Sequence, residues 1–188
     1  MKKNSLLAIS VIVILGIILI FFLVPWGNLF DDENPQDDTD IAEVKKIGYI
    51  MTIDEERYKW SEEEENVLVP KEPLEAGYPE VSMKIEQFPS TAPEQLLPEL
   101  ETNIRDVYSS VSEPESILEP VKGWKLHGID QENGNSNWDS PVSNIYVIDN
   151  GQDGSFVITE KYFLEAAEGH GKNFYHMLET FEMKVLAN

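Results

Sequence analysis

The sequence predicts a mixed α+β domain that follows a single membrane-spanning helix near the N-terminus. Three observations carry this prediction. Residues 6–24 form an uncharged apolar run, short segments that alternate apolar and polar residues recur after residue 41, and two later segments place apolar residues at helical spacing. The chain has 188 residues, which is enough for one domain of ordinary size.

The apolar run at 6–24 has the sequence LLAISVIVILGIILIFFLV. At 1.5 Å per residue an α-helix of this length is about 28 Å long, close to the ~30 Å hydrocarbon core of a bilayer. Trp26 follows as an interfacial aromatic residue. Because Lys2 and Lys3 precede the run and acidic residues follow it, the positive-inside rule places residues 1–5 in the cytoplasm and the C-terminal domain outside. The length of the run and the lack of an Ala-x-Ala-like site favour an uncleaved anchor in the cell membrane over a secretory signal peptide.

Acidic residues dominate the remainder of the chain. There are 35 of them against 14 basic residues, a net charge of -21, and none precedes Asp31. The segment 25–40 contains DDENPQDDTD and is predicted to be a solvated linker. The acidic excess argues against nucleic-acid binding, which needs clustered Lys and Arg. Two interpretations of the charge stay open: solubility of an outward-facing domain, or recognition of a basic partner or cations at the envelope.

The extracytoplasmic domain is predicted to extend from 41 to 188. A helix is predicted over 95–111, where apolar residues from Leu96 to Val111 form one stripe, and a second helix is predicted around Phe174 to Phe181. The predicted strands are 47–53, 67–69, 81–88, 117–121, 124–129, 142–149, 155–162 and 183–185. The segment 131–140 is predicted to be a polar loop that carries Trp138.

The motifs of several enzyme classes are missing. The chain has no cysteine, which excludes disulfides, thiolate nucleophiles and thiolate zinc sites. It contains no Gly-x-Ser-x-Gly elbow, no Walker-type or Gly-x-Gly-x-x-Gly loop, and no zinc motif around His127, His170 or His176. The sequence therefore predicts a protein without catalytic activity. An envelope hydrolase that uses carboxylates is a further hypothesis, which the missing motifs disfavour.

Calcium is the one cofactor that the sequence suggests. Taken as a twelve-residue calcium loop, the segment from Asp149 to Glu160 has candidate ligands at Asp149, Asp153, Ser155 and Glu160. Position 3 of this loop is Gly151, which has no side-chain ligand, and the preceding segment has the pattern of a strand. A hairpin turn at Asn-Gly-Gln-Asp-Gly explains the same residues, so the hairpin is favoured and calcium is the alternative.

The order of elements resembles that of a known family. The strand VSMKIEQFP at 81–89 precedes the helix at 95–111, and the hairpin at 143–163 precedes NFYHMLETFEMK at 173–184. From Tyr78 onward, over about 110 residues, this order resembles the PsbP-like family, named after an extrinsic protein of photosystem II and including bacterial exported relatives. The resemblance implies an antiparallel β-sheet covered by helices, an α+β sandwich, and an accessory or binding role.

The sequence thus predicts a bacterial, single-pass membrane protein with a non-catalytic accessory or binding domain outside the cell membrane. The lipid bilayer is its predicted partner through the helix at 6–24, and a protein partner at the envelope is left open. The alternative function is the binding or sensing of a divalent cation at 149–160.

Overall fold

The computed structural model describes residues 47–72 and 74–186 of the chain. The predicted membrane helix at 6–24 and the linker at 25–40 lie outside these residues. Among the residues described, no helix has the length and apolar character needed to cross a membrane.

The described residues form ten strands and two α-helices. The strands are β1 (Ile47–Ile50), β2 (Tyr58–Trp60), β3 (Val67–Pro70), β4 (Ser82–Phe88), β5 (Ser110–Val111), β6 (Glu115–Ile117), β7 (Gly123–Ile129), β8 (Pro141–Asp149), β9 (Ser155–Phe163) and β10 (Glu182–Val185). The helices are α1 (Pro93–Val107) and α2 (His170–Leu178), and a 3₁₀ helix at Leu164–Glu168 precedes α2.

The main sheet has the order β2-β3-β4-β9-β8-β7-β5, with β6 also paired to β7, while β1 and β10 form a separate two-stranded sheet. All of these pairings are antiparallel. The prediction of a mixed α+β fold with antiparallel strands and two helices is therefore confirmed.

The central strands β8 and β9 are buried on both faces. Neighbouring residues of a strand point to opposite faces, so alternate residues belong to two separate clusters. One cluster joins even-numbered residues of these strands to α2, and the other joins odd-numbered residues to α1. The first includes Tyr146, Ile148, Phe156, Ile158, Phe174, Met177 and Leu178, and the second includes Leu96, Leu97, Ile104, Ile145, Val147 and Val157. The two helices therefore cover opposite faces of the sheet.

Helix α1 differs from the prediction at both ends. It begins two residues earlier, at Pro93, so that Pro98 lies inside the helix and not in its first turn. It ends at Val107 because the backbone of Tyr108 is extended, with φ -109° and ψ 135°. Val111, which the helical stripe included, instead pairs with Gly128 in the sheet.

The N-terminus of α1 lacks a side-chain cap. Ala92 has the extended backbone of an N-cap residue, and its N–H donates to Gln95 Oε1 over 3.2 Å. We expect Ala92→Ser to raise the free energy of unfolding by about 1 kcal/mol, because a serine oxygen accepts a free first-turn N–H. Urea unfolding measures this gain. Ala92→Val adds side-chain atoms without an oxygen, and an equal gain in that variant would contradict the capping explanation.

Three further elements correct the prediction. The strand predicted at 117–121 is wrong except at Ile117, where β6 (Glu115–Ile117) ends, and strand β2 was not predicted at all. Helix α2 ends at Leu178, so Phe181 lies beyond it and stacks on Tyr49 with ring centroids 5.4 Å apart.

The hairpin between β8 and β9 is confirmed. Asp149 pairs with Ser155, and the N–H of Asn150 donates to the carbonyl of Gly154 over 2.9 Å. The turn places Gly151 at φ 75° and Asp153 at φ 59°, the left-handed conformation that these residue types tolerate.

Candidate functional site

A cleft with a volume of about 530 Å³ opens beside the N-terminus of α2. We call it the His170 cleft. Its walls come from the turn before β2, from the end of β3 and the segment that follows it, and from the junction between β9 and α2. The residues that line it are Glu56, Arg57, Pro70, Lys71, Glu72, Leu74, Glu75, Tyr78, Phe163 and His170.

His170 is held in the cleft by a buried tyrosine. Tyr58 of β2 is 1% exposed, and its hydroxyl is hydrogen-bonded to His170 Nδ1 over 2.8 Å. Burial, together with the nearby Arg57 guanidinium, lowers the pKa of His170 below its ordinary value. The imidazole is therefore neutral at neutral pH, and one of its two nitrogens is already occupied by Tyr58.

Tyr78 lines the cleft and Trp138 packs against it, and we call this exposed pair the aromatic shelf. Tyr78 is 40% exposed and Trp138 is 54% exposed, and their rings meet edge to face, with centroids 5.6 Å apart and an interplanar angle of 66°. Tyr78 also packs on buried Phe163 with a centroid distance of 5.3 Å. The loop that carries Trp138 is tied to the 3₁₀ helix because the N–H of Glu165 donates to the Trp138 carbonyl over 2.8 Å. The rings are thus exposed on a fixed backbone, as at a binding surface.

Charged groups of both signs line the cleft beside Tyr78. Arg57 and Lys71 supply hydrogen-bond donors, and the carboxylates of Glu56, Glu72 and Glu75 supply acceptors. These side chains can therefore form hydrogen bonds with a ligand that has both donor and acceptor groups.

A second polar cluster lies inside the protein, on the face of the sheet that α2 covers. Glu160 of β9 is 1% exposed, and its Oε2 accepts a hydrogen bond from Asn144 Nδ2 over 3.0 Å. The same Asn144 nitrogen donates to the Tyr162 hydroxyl over 3.0 Å, and His127 Nδ1 donates to Asn144 Oδ1 over 2.9 Å. Glu160 Oε1 has no hydrogen-bond partner among the described residues.

The environment of Glu160 favours its protonated form. Burial raises the pKa of Glu160 to about 7, while the hydrogen bond from Asn144 and the charge of Lys125 act in the opposite direction. Desolvation is the largest effect because a carboxylate loses its hydration in the interior. The side chain therefore exchanges a proton near neutral pH.

The structure does not bring the four candidate calcium ligands together. Asp149, Asp153 and Ser155 lie at the hairpin, but Glu160 pairs with Asn144 five residues further along β9. At ~3.3 Å per residue this separation is about 17 Å. The segment forms a hairpin and a strand where a calcium loop would need a continuous turn. Within 47–72 and 74–186, no group of three or more His, Asp or Glu side chains could hold a metal ion.

The side chains of Asp149 and Ser155 each form a hydrogen bond with a backbone group. Asp149 Oδ1 accepts from the N–H of Gly151 over 2.7 Å. The Ser155 hydroxyl donates to the carbonyl of Thr91 over 2.7 Å. These bonds connect the hairpin to itself and to the segment before α1.

Sequence reasoning did not identify the His170 cleft. Its walls come from segments about a hundred residues apart, for which no local pattern exists. Trp138 was the signal in the sequence that pointed to this surface, because local packing does not explain a large aromatic residue in a polar loop. No zinc motif surrounds His170 in the sequence, and its bond to Tyr58 depends on the approach of segments that are distant in the chain.

Comparison with known proteins supports the fold. No protein-family model and no curated protein matches the chain. Among solved structures, LpqN of Mycobacterium tuberculosis is similar, with a TM-score of 0.51 and 11% identity, over 77% of this chain and 87% of that chain. LpqN is described as involved in cell envelope biogenesis. At this identity the likeness shows the fold alone, and the resemblance to the PsbP-like family stays a prediction.

Proposed function

We propose that the protein is a membrane-anchored, extracytoplasmic accessory protein that binds its ligand in the His170 cleft and does not catalyse a reaction. One observation carries the binding role: exposed Tyr78 and charges of both signs line one cleft, and exposed Trp138 packs against Tyr78. Such a combination of apolar surface with a few placed polar groups is typical of ligand sites.

The composition of the cleft favours binding over catalysis. Among the described residues that line it there is no serine, threonine or cysteine, and the hydroxyl that is hydrogen-bonded to His170 belongs to buried Tyr58. The Nδ1 atom of His170 is bonded to Tyr58, which fixes the ring as part of the wall.

The place of the protein in the envelope is supported by three features. The apolar run at 6–24 and the lysines before it predict an anchor with the domain outside. The net charge of -21 suits a domain that has to stay dispersed in solvent. LpqN, which has a similar fold, is involved in cell envelope biogenesis.

We expect the full chain, produced in a bacterium, to sediment with the membranes and its domain to be digested when protease is added to intact spheroplasts. The physical reason is the charge asymmetry around the run at 6–24, which retains the positive end in the cytoplasm. The matched control is a variant that lacks 6–24, which we expect in the soluble fraction and protected from protease. Protection of the full chain in intact spheroplasts would overturn the proposed location.

A further inference from the structure

We propose that the ligand of the His170 cleft is a neutral saccharide whose pyranose rings stack on the aromatic shelf of Tyr78 and Trp138. This inference rests on the proposed function, because it names the chemical class of the ligand for the same cleft. It is carried by the geometry of the shelf and by the charges around it.

The shelf provides what the ring of a sugar needs. A pyranose presents a face of C–H groups that packs against the face of an aromatic ring. Tyr78 and Trp138 are 40% and 54% exposed, although rings of this size are usually covered. Because Phe163 supports Tyr78 and the N–H of Glu165 holds the Trp138 backbone, the shelf is formed before a ligand arrives. Binding then costs little ordering of the protein.

The charged rim distinguishes a sugar from other ligands. Sugar hydroxyls donate and accept, which matches the carboxylates of Glu56 and Glu75 and the donors of Arg57 and Lys71. An acyl chain would bury these charges without partners, which is costly. A polyanion would meet three carboxylates in the cleft and a chain of net charge -21. The volume of about 530 Å³ lies within the range of small-molecule sites.

The test is a calorimetric titration of the full chain in a detergent without a sugar headgroup. The probes are a hexamer of β-1,4-linked N-acetylglucosamine and a hexamer of α-1,4-linked glucose, with octalysine as the peptide probe. We expect at least one hexamer to bind, and Trp138→Ala to raise its Kd about tenfold or more, since one stacked ring is lost. Tyr78→Phe keeps the ring and should retain the affinity.

Trp60→Ala is the matched control. Trp60 is also an exposed tryptophan, at 43%, but unlike Trp138 it makes no aromatic contact with Tyr78. An equal loss of affinity in the two tryptophan variants would overturn the shelf as the site. Binding of octalysine without either hexamer would overturn the saccharide in favour of a basic peptide. If protease digests the domain on intact spheroplasts but neither hexamer binds, only the proposal of a saccharide ligand is overturned. The proposed location in the envelope then stands.

Discussion

Replacement of Glu160 by glutamine is expected to raise the free energy of unfolding at pH 8 by up to about 3 kcal/mol. In the folded protein, burial raises the pKa of this carboxyl from the ordinary 4.5 to about 7. The folded state therefore binds the proton more tightly than the unfolded chain does. The stability that this proton provides is complete below pH 4.5 and is lost as the pH rises through 7. At pH 8 the native protein has to retain an ionised carboxylate in its interior, whereas glutamine is uncharged.

Glutamine also preserves the local hydrogen bond. Its carbonyl oxygen can accept from Asn144 Nδ2, as Glu160 Oε2 does over 3.0 Å. Urea unfolding of the full chain at pH 5 and pH 8 measures the effect, and the difference between the two proteins should fall below about 1 kcal/mol at pH 5. Glu132→Gln, in an exposed loop, is the control and should change little at either pH. An equal gain at both pH values would assign the effect to packing and would contradict the titration.

The opposite sign would also be informative. Lys125 Nζ lies 5.7 Å from the centroid of the Tyr146 ring, and its charge favours the ionised form of Glu160. If Glu160→Gln lowers the stability at pH 8, the attraction of Lys125 outweighs desolvation. The carboxylate would then stabilise the core.

Local turn chemistry explains which strands could be predicted. The β8–β9 hairpin follows from Asn150-Gly151 and Asp153-Gly154, whose positive φ values fit the residue types. Strand β2 could not be predicted, because three residues acquire their conformation by pairing with β3. The end of α1 was missed for a related reason: Val111 fits the helical spacing, but its pairing with Gly128 determines its conformation.

The buried carboxylate could have been found in the sequence. Phe156, Ile158, Glu160 and Tyr162 occupy alternate positions of one strand and therefore share a face. A charged residue at an inward position contradicts the pattern of its own strand, and such contradictions are frequent at special sites. Glu160 also fits position 12 of a calcium loop, and that fit offers another explanation for a carboxylate at an inward position of the strand. The His170 cleft offered no comparable local conflict apart from Trp138.

Phe174→Ala is expected to lower the free energy of unfolding by about 3–5 kcal/mol, because it removes a large ring from the interior and leaves a cavity. Phe174 is 0% exposed, and its ring centroid lies 5.1 Å from that of Tyr58. Urea unfolding measures the loss. Lys172→Ala, on the exposed side of the same helix, is the control and should cost less than about 0.5 kcal/mol.

Phe174→Ala is also expected to affect the His170 cleft. Phe174 supports Tyr58, and Tyr58 holds His170 through the 2.8 Å hydrogen bond. Because the cleft wall is built on this contact, Phe174→Ala should also weaken any ligand bound in the His170 cleft, although its side chain does not line it. A destabilised variant with unchanged affinity would show that the cleft wall does not depend on the contact between Phe174 and Tyr58. A loss of stability below about 1 kcal/mol would contradict the role of α2 in covering this face of the sheet.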